Sequence, residues 1–255
     1  YDMFHSRQAD YLSGESGYPL YSNTVTEYLS PGERIFERML EELQAAEKYI
    51  YMEFFILAEG DMWDAIHKVL SEKASNGVEV RVIFDDFGSI KRQHKDFIVN
   101  LRAEGIDVSV FNPIKPSMNI FMNNRNHRKI VVIDGKTAFT GGFNIGDEYI
   151  NKMIRFGHWL DSGIMLRGEA VKSFLAMFCC MWEFTTGEQL DISSHISDFS
   201  AADDGFVLPY CDGPLNNKNP AEGIYMQILN TAQKYVYIAS PYLIIDNTMT
   251  SILCM

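Results

Sequence analysis

Residues 126–144 read NHRKIVVIDGKTAFTGGFN. A buried strand needs only apolar residues such as the Ile130–Ile133 run, so His127 and Lys129 at its entrance ask for another explanation. Taken as a strand over 127–133, side chains alternate between faces and His127 and Lys129 share one of them. Asp134-Gly135 or Gly135-Lys136 then supplies the centre of a tight two-residue turn, and 137–144 returns antiparallel. Under either turn the even-numbered residues of the return strand share the face of His127. Asn144 joins His127 and Lys129 there, unless Gly141-Gly142 forms a bulge. The glycine pair is expected to leave room for a ligand beside the backbone.

An imidazole, an ammonium and a carboxamide on one surface suit a phosphodiester. Lysine brings positive charge and asparagine an N–H donor, both of which stabilise phosphate oxygens as charge builds in a transition state. A neutral histidine is a nucleophile able to form a covalent intermediate, and its pKa near neutrality fits it for proton transfer. Together they describe phosphoryl-type transfer. The chain has no carboxylate–histidine cluster with metal-ligand spacing, so no metal and no other cofactor is expected. Asp134 alternates to the opposite face and reads as an architectural residue that ties the strand end down.

Outward from the motif, strands and helices alternate. Ser30-Pro31-Gly32-Glu33 has the order of a helix start, and apolar residues at 35, 36, 39, 40 and 43 continue it at helical spacing. YIYMEFFIL (49–57) reads as a strand, 61–75 as a helix stopped by Asn76-Gly77, 78–84 as a strand, 97–103 as a helix and 106–111 as a strand. After the motif, 159–166 reads as a strand and 169–184 as a long helix. Residues 1–30 show no sustained period and read as an irregular lead-in, and 187–204 as a polar, acidic linker between lobes. The fold class is therefore α/β with a largely buried sheet. The domains expected are a first lobe over 31–204 and the beginning of a second over 205–255.

An internal repeat supports the second lobe. AEKYIYM (46–52) reappears as AQKYVYI (232–238), an offset of 186 that also takes Leu43 to Leu229 and Leu57 to Leu243. A counterpart of His127 is then expected near position 313, beyond the end of the 255 residues.

Composition bounds the rest. At 47% hydrophobic and 22% charged the chain suits globular lobes with a core. Its uncharged runs, such as 174–182 and 236–245, are far short of the roughly 20 residues of a membrane span. The start YDMFHSRQAD lacks the basic-then-apolar pattern of a signal peptide, and the chain reads as a piece of something longer. The four cysteines, at 179, 180, 211 and 254, read as reduced thiols. A net charge of −12 disfavours nucleic acid as a partner. The charge is uneven: residues 76–136 sum to +3 and 183–255 to −7, so an anion is welcome near the motif.

The longer pattern His127-x-Lys129-x4-Asp134-x6-Gly141-Gly142-x-Asn144 resembles the signature of the phospholipase D superfamily. Flanking stretches, among them SGYPLYSNT, YMEFFI, VRVIFDDFGS, NNRNHRKIVVIDG, GGFNIGDEYIN and RFGHWLDSGIMLRGEAV, look similar to bacterial cardiolipin synthases of the two-motif type. The resemblance covers roughly 12–245. It implies a doubled α/β/α sandwich with the active site at the seam of two pseudo-twofold lobes, and it counts His127, Lys129 and Asp134 together as the catalytic motif. One histidine would form a phosphohistidine, with His127 the expected nucleophile, while that of the other lobe would protonate the leaving alcohol. Lys129 and Asn144 would hold the phosphate, and Asp161 would orient the histidine. The implied activity is a phosphatidyltransferase making cardiolipin from two phosphatidylglycerol molecules with release of glycerol, at a bacterial cell membrane. The second motif and the preceding membrane helices are absent here, so this piece, itself expected to be soluble, would be inactive until a second lobe completes the site. Other superfamily phosphodiesterases and a non-catalytic scaffold lobe are the competing readings. Glu53, charged within YMEFFI, is expected to border the site or to pair with a buried base, since a lone buried carboxylate is costly. The loop 112–126, with Ile114, Met118, Ile120, Phe121 and Met122, is a candidate for lipid contact.

Overall fold

A computed structural model describes residues 3–114, 123–155, 157–203, 205–213, 219–240 and 242–255, with side chains from residue 6 onward. The chain divides into two units, 21–206 and 1–20 together with 207–255.

The larger unit is an α/β/α sandwich. Its seven described strands are β1 (Thr24–Leu29), β2 (Tyr49–Phe54), β3 (Glu79–Asp85), β4 (Asp107–Phe111), β5 (Ile130–Ile133), β6 (Thr137–Gly141) and β7 (Gly163–Gly168). They form one sheet in the order β1-β7-β6-β5-β2-β3-β4. β2, β3 and β4 run parallel, whereas β5, β6, β7 and β1 alternate in direction.

Both faces are covered, which is why the central strands are apolar throughout rather than alternating. On one face lie α2 (Gly32–Gln44), α3 (Asp61–Ser75) and α5 (Phe97–Ala103). Ile35, Met39, Leu43, Trp63, Ile66 and Leu70 from these helices join Ile50, Met52 and Phe54 of β2 and Val131 and Ile133 of β5 in one core. The short α4 (Asp86–Ser89) follows β3 directly. On the other face α6 (Val171–Thr186) stacks Phe178 on Tyr51 of β2, with ring centroids 4.7 Å apart.

The sequence reading needs correction in several places. Residues 1–30 are not irregular: they hold α1 (Met3–Ser16) and β1, which closes one edge of the sheet against β7. Helical periodicity misses α1 because its apolar residues are few, and β1 is masked by an edge strand's polar mix. The strand expected over 159–166 begins later, at Gly163, because the described residues from 157 to 162 form a loop ordered by Asn151, whose side chain bonds Trp159 N and O. The acidic stretch after α6 is fastened to the sheet. Glu188 binds Arg81 and Trp182, and the short α7 (Ile192–His195) offers the His195 carbonyl to the Tyr49 hydroxyl.

The hairpin turn is three residues long, Asp134 to Lys136, because Ile133 pairs with Thr137. Asp134 and Gly135 take φ of +53° and +64°, and glycine makes the second of these cheap. Asp134 accepts hydrogen bonds from three successive amides, Glu47 N, Lys48 N and Tyr49 N, at 2.7–2.9 Å. It thus satisfies the backbone at the entrance of β2. Asp134→Ala is expected to lower unfolding free energy by about 3 kcal/mol, since charge-assisted hydrogen bonds are lost and donors are left unpaired. Denaturant titration checks this, and a loss under about 1 kcal/mol would contradict the anchoring role.

The smaller unit carries α8 (Pro220–Thr231) and α9 (Asn247–Cys254), with α1 packed on α8. An offset of 186 carries α2 to 218–230 and the first residue of α3 to 247, close to where α8 and α9 stand. The repeated AQKYVYI, however, is not a strand, and Tyr235 to Ile238 are exposed. β2 is a strand because β3 and β5 satisfy its backbone on both sides; among the described residues 232–238 has no such neighbour.

Candidate active site

The edge of the sheet where β2, β3, β4 and β6 end, and where β5 and β7 begin, carries the sequence-predicted residues other than Asp134. His127 sits on a strap that enters β5 and is pinned by two carboxylates that are wholly buried. Asp85, at the end of β3, accepts from Asn126 N at 2.9 Å and Phe87 N at 2.8 Å and pairs with Arg125 at 3.3 Å. Glu53, in β2, accepts from Asn126 Nδ2 at 2.7 Å and from Arg128 Nε at 2.8 Å. Its other oxygen, Oε2, has no hydrogen-bond partner among the described residues. Burial pushes both carboxyls above their ordinary pKa, opposed by these bonds and charges. The strap therefore has a bond to one buried acid or the other at 125, 126 and 128, and His127 is the residue left facing outward.

The His127 ring lies on Phe55, centroids 4.9 Å apart, and no hydrogen bond to either ring nitrogen occurs among the described residues. The residue is exposed. Partial desolvation first, and the Lys129 charge second, hold its pKa below the ordinary 6.5. Lys129 is buried; its ammonium donates to the His127 carbonyl at 2.6 Å and stands 5.7 Å from the centre of the Phe55 ring. Burial lowers its pKa to about 8, against a pull upward from Asp161.

Asn144 is held in another way than the one expected. With a three-residue turn, odd residues of β5 pair with odd residues of β6, so simple alternation would put Asn144 on the far face. β6 ends at Gly141, and the Gly141-Gly142 pair redirects the chain. The Asn144 side chain then accepts from Ile56 N at 3.0 Å and donates to the Tyr149 hydroxyl at 2.9 Å. These bonds fix the amide orientation and leave one of its N–H bonds uncommitted. The glycines serve packing rather than ligand access: a Cβ on Gly141 would stand 2.5 Å from Ser162 O, and one on Gly142 2.6 Å from Asp161 Oδ1.

Asp161 lies just before β7. Its carboxylate accepts from Trp159 Nε1 at 3.0 Å and Ser162 N at 2.8 Å. No bond from it to His127 occurs among the described residues, and its electrostatic influence falls on Lys129. Asp134 is the residue the structure does not bring in. Seven residues of extended chain, at about 3.3 Å each, put it roughly 20 Å from His127 at the opposite edge of the sheet. It belongs to the motif in sequence and to the fold in space. The sequence reading missed Phe55, Asp85, Asn126 and Arg128. The signal for two of them was Glu53 itself, whose burial demanded donors, and Asn126 and Arg128 flank the histidine. In the loop 112–126, Met118, Ile120, Phe121 and Met122 lie outside the described residues.

The family model for the cardiolipin synthase, PLD-like domain matches residues 39–171, which span β2 to β7 and every site residue above. The chain belongs to this family. A cardiolipin synthase of Alkalihalophilus pseudofirmus is 35% identical over 92% of this chain and 47% of its own length. An uncharacterized protein of Streptococcus mutans is 44% identical over 94% of this chain and 52% of its own. The chain thus spans about half the length of the curated relatives it matches. Among solved structures, a phosphatidylserine synthase of Haemophilus influenzae shares the fold, with a TM-score of 0.62 at 15% identity over 97% of this chain and 63% of that one. Within this cardiolipin synthase-like chain no described helix is long and apolar enough to cross a membrane.

Proposed function

We propose that this chain is the first catalytic lobe of a phosphatidyltransferase that makes cardiolipin from two phosphatidylglycerol molecules. The observation that carries the reading is an exposed histidine kept neutral near physiological pH beside a buried ammonium, both against Phe55. His127 attacks the phosphorus of phosphatidylglycerol, forming a P–N bond as the P–O bond to glycerol breaks. The leaving glycerol takes its proton from a histidine of a second lobe, expected beyond residue 255. The hydroxyl of a second phosphatidylglycerol then gives up its proton to that same histidine and displaces His127, yielding cardiolipin. Lys129 and the free N–H of Asn144 hold the phosphate oxygens as charge develops on them. Asp161 supports the Lys129 charge, and Glu53 with Asp85 holds the strap that aims His127. The 255 residues alone are inactive on this reading, because the general acid is missing.

The test uses the longer protein that contains this chain, with phosphatidylglycerol as the sole lipid and excess chelator. Cardiolipin and glycerol are expected in equal amounts. Release of phosphatidic acid without cardiolipin would make the protein a hydrolase, and complete loss of turnover on chelation would replace this route by a metal-dependent one.

A further inference from the structure

Asn144 and Lys129 are both supported from the stretch that joins β6 to β7. A single 3-10 turn, Asp147–Ile150, follows Asn144, and the chain then runs on to β7 at Gly163. Tyr149, in that turn, is buried, and its hydroxyl accepts from Asn144 Nδ2 at 2.9 Å. Burial pushes the Tyr149 pKa up to about 12, so the acceptor is a neutral hydroxyl. Further on, Trp159 Nε1 donates to Asp161 Oδ2 at 3.0 Å. Burial lowers the Lys129 pKa, and the Asp161 charge pulls it back upward. The Tyr149 and Trp159 rings meet edge to face, with centroids 5.2 Å apart and planes at 67°, a preferred geometry for an aromatic pair. The bracket they form is itself fastened. Asn151 Nδ2 donates to Trp159 O at 2.9 Å and to Glu33 Oε1 at 2.8 Å, and Asn151 Oδ1 accepts from Trp159 N at 2.6 Å. Ser30 Oγ donates to the Asp161 carbonyl at 2.9 Å.

We propose that Tyr149 and Trp159 are positioning residues for the phosphate, Tyr149 by fixing the direction of the remaining Asn144 N–H and Trp159 by holding the Asp161 carboxylate where it acts on the Lys129 ammonium. A carboxamide held by Ile56 N alone can swing about that one bond, and the bond to Tyr149 removes the freedom. A donor stabilises a transition state only when it points at the charge that develops there, and it keeps that aim only if its own partners lock it. The proposal rests on the phosphatidyltransferase reading, and adds to it two residues that act through others.

The test is a pair of double-mutant cycles in the longer protein, with cardiolipin formation from phosphatidylglycerol followed across pH. Tyr149→Phe keeps the ring and is expected to lower kcat about tenfold with little change in KM, less than the loss of a donor outright. The alkaline limb of its kcat/KM profile should stay in place. In an Asn144→Ala background the same change should cost nothing further, because its effect passes through the amide. Trp159→Phe is expected to move the alkaline limb to lower pH, in the direction of Asp161→Asn and by less, and to move it no further when Asp161 is already Asn. Equal losses from Tyr149→Phe with and without Asn144, or an alkaline limb that Trp159→Phe leaves unmoved, overturn the proposal and make the two rings packing alone. A reading without turnover separates this from the functional assignment. With isotope-labelled lysine, the NMR signal of the Lys129 side chain, identified by its loss in Lys129→Met, should titrate at lower pH in Trp159→Phe than in the parent. That shift in a parent that makes no cardiolipin would defeat the phosphatidyltransferase reading and leave the Trp159 assignment standing. An unshifted signal in an active enzyme would do the reverse.

Discussion

His127→Ala is expected to reduce cardiolipin formation by the longer protein by at least about 10³-fold, the scale seen when a covalent nucleophile is removed. Of the three groups His127, Lys129 and Asn144, only His127 is exposed: Lys129 and Asn144 are buried, and the Asn144 amide is largely committed to Ile56 and Tyr149. The loss is chemical rather than structural. The His127 ring is exposed, and among the described residues it accepts and donates no hydrogen bond, so its removal should leave the melting temperature within a few degrees of the parent. Phosphate-labelled lipid should leave acid-labile label on the peptide containing residue 127 in the parent and none in the variant. A variant that keeps a near-normal rate would take the nucleophile away from His127.

Lys129→Met is expected to cost about 10²–10³-fold in kcat/KM, the scale of one well-aimed donor to a developing charge. Its pH dependence separates this role from packing. The Lys129 pKa is lowered to about 8, so its charge is lost in the free enzyme as pH rises through 8. His127 must be neutral to attack, and with its pKa held below 6.5 it becomes so as pH rises through that lower value. The kcat/KM profile should therefore be a bell, with its acid limb below 6.5 and its alkaline limb near 8. A bound phosphate favours the ammonium, so the alkaline limb of kcat should lie higher than that of kcat/KM. In Lys129→Met the alkaline limb should disappear; its persistence at the same pH would assign it to another group. Stability moves the other way. The folded pKa lies below the unfolded value of 10.5, so the unfolded chain binds more protons between pH 8 and 10.5 and stability rises across that window. Below pH 8 the buried charge is a constant burden, and Met removes it. A loss of activity without loss of stability near pH 7 is the signature of a functional lysine.

How far the sequence could be read depends on whether a property is local. The order of strands and helices around the motif is carried by short-range apolar periodicity, and helix Phe97–Ala103 falls where its pattern puts it. Alternation over 127–133 predicts His127 and Lys129 on one face; β5 begins only at Ile130, and both side chains meet the Phe55 ring from the strap before it. The position of Asn144 depends on one residue of turn length and on the glycine pair, and a change of one residue moves every later side chain to the other face. The two-residue turn expected for the hairpin would have put Asn144 beside His127 by alternation. The three-residue turn reverses that alternation, and beyond the glycine pair the Asn144 side chain is held by Ile56 N and the Tyr149 hydroxyl.

The sequence by itself determined the family, the sandwich and the histidine–lysine pair, because each is encoded in residue types at fixed, nearby spacings. Only the tertiary structure decided that Asp134 binds the amides at the entrance of β2, and that Glu53 and Asp85 clamp the strap bearing the histidine. Those facts join residues 40 and more positions apart, such as Asp85 with Asn126 and Glu53 with Arg128. Burial is what makes such pairings obligatory: a carboxylate taken from water must find its donors wherever the chain brings them, and no local pattern says where that will be.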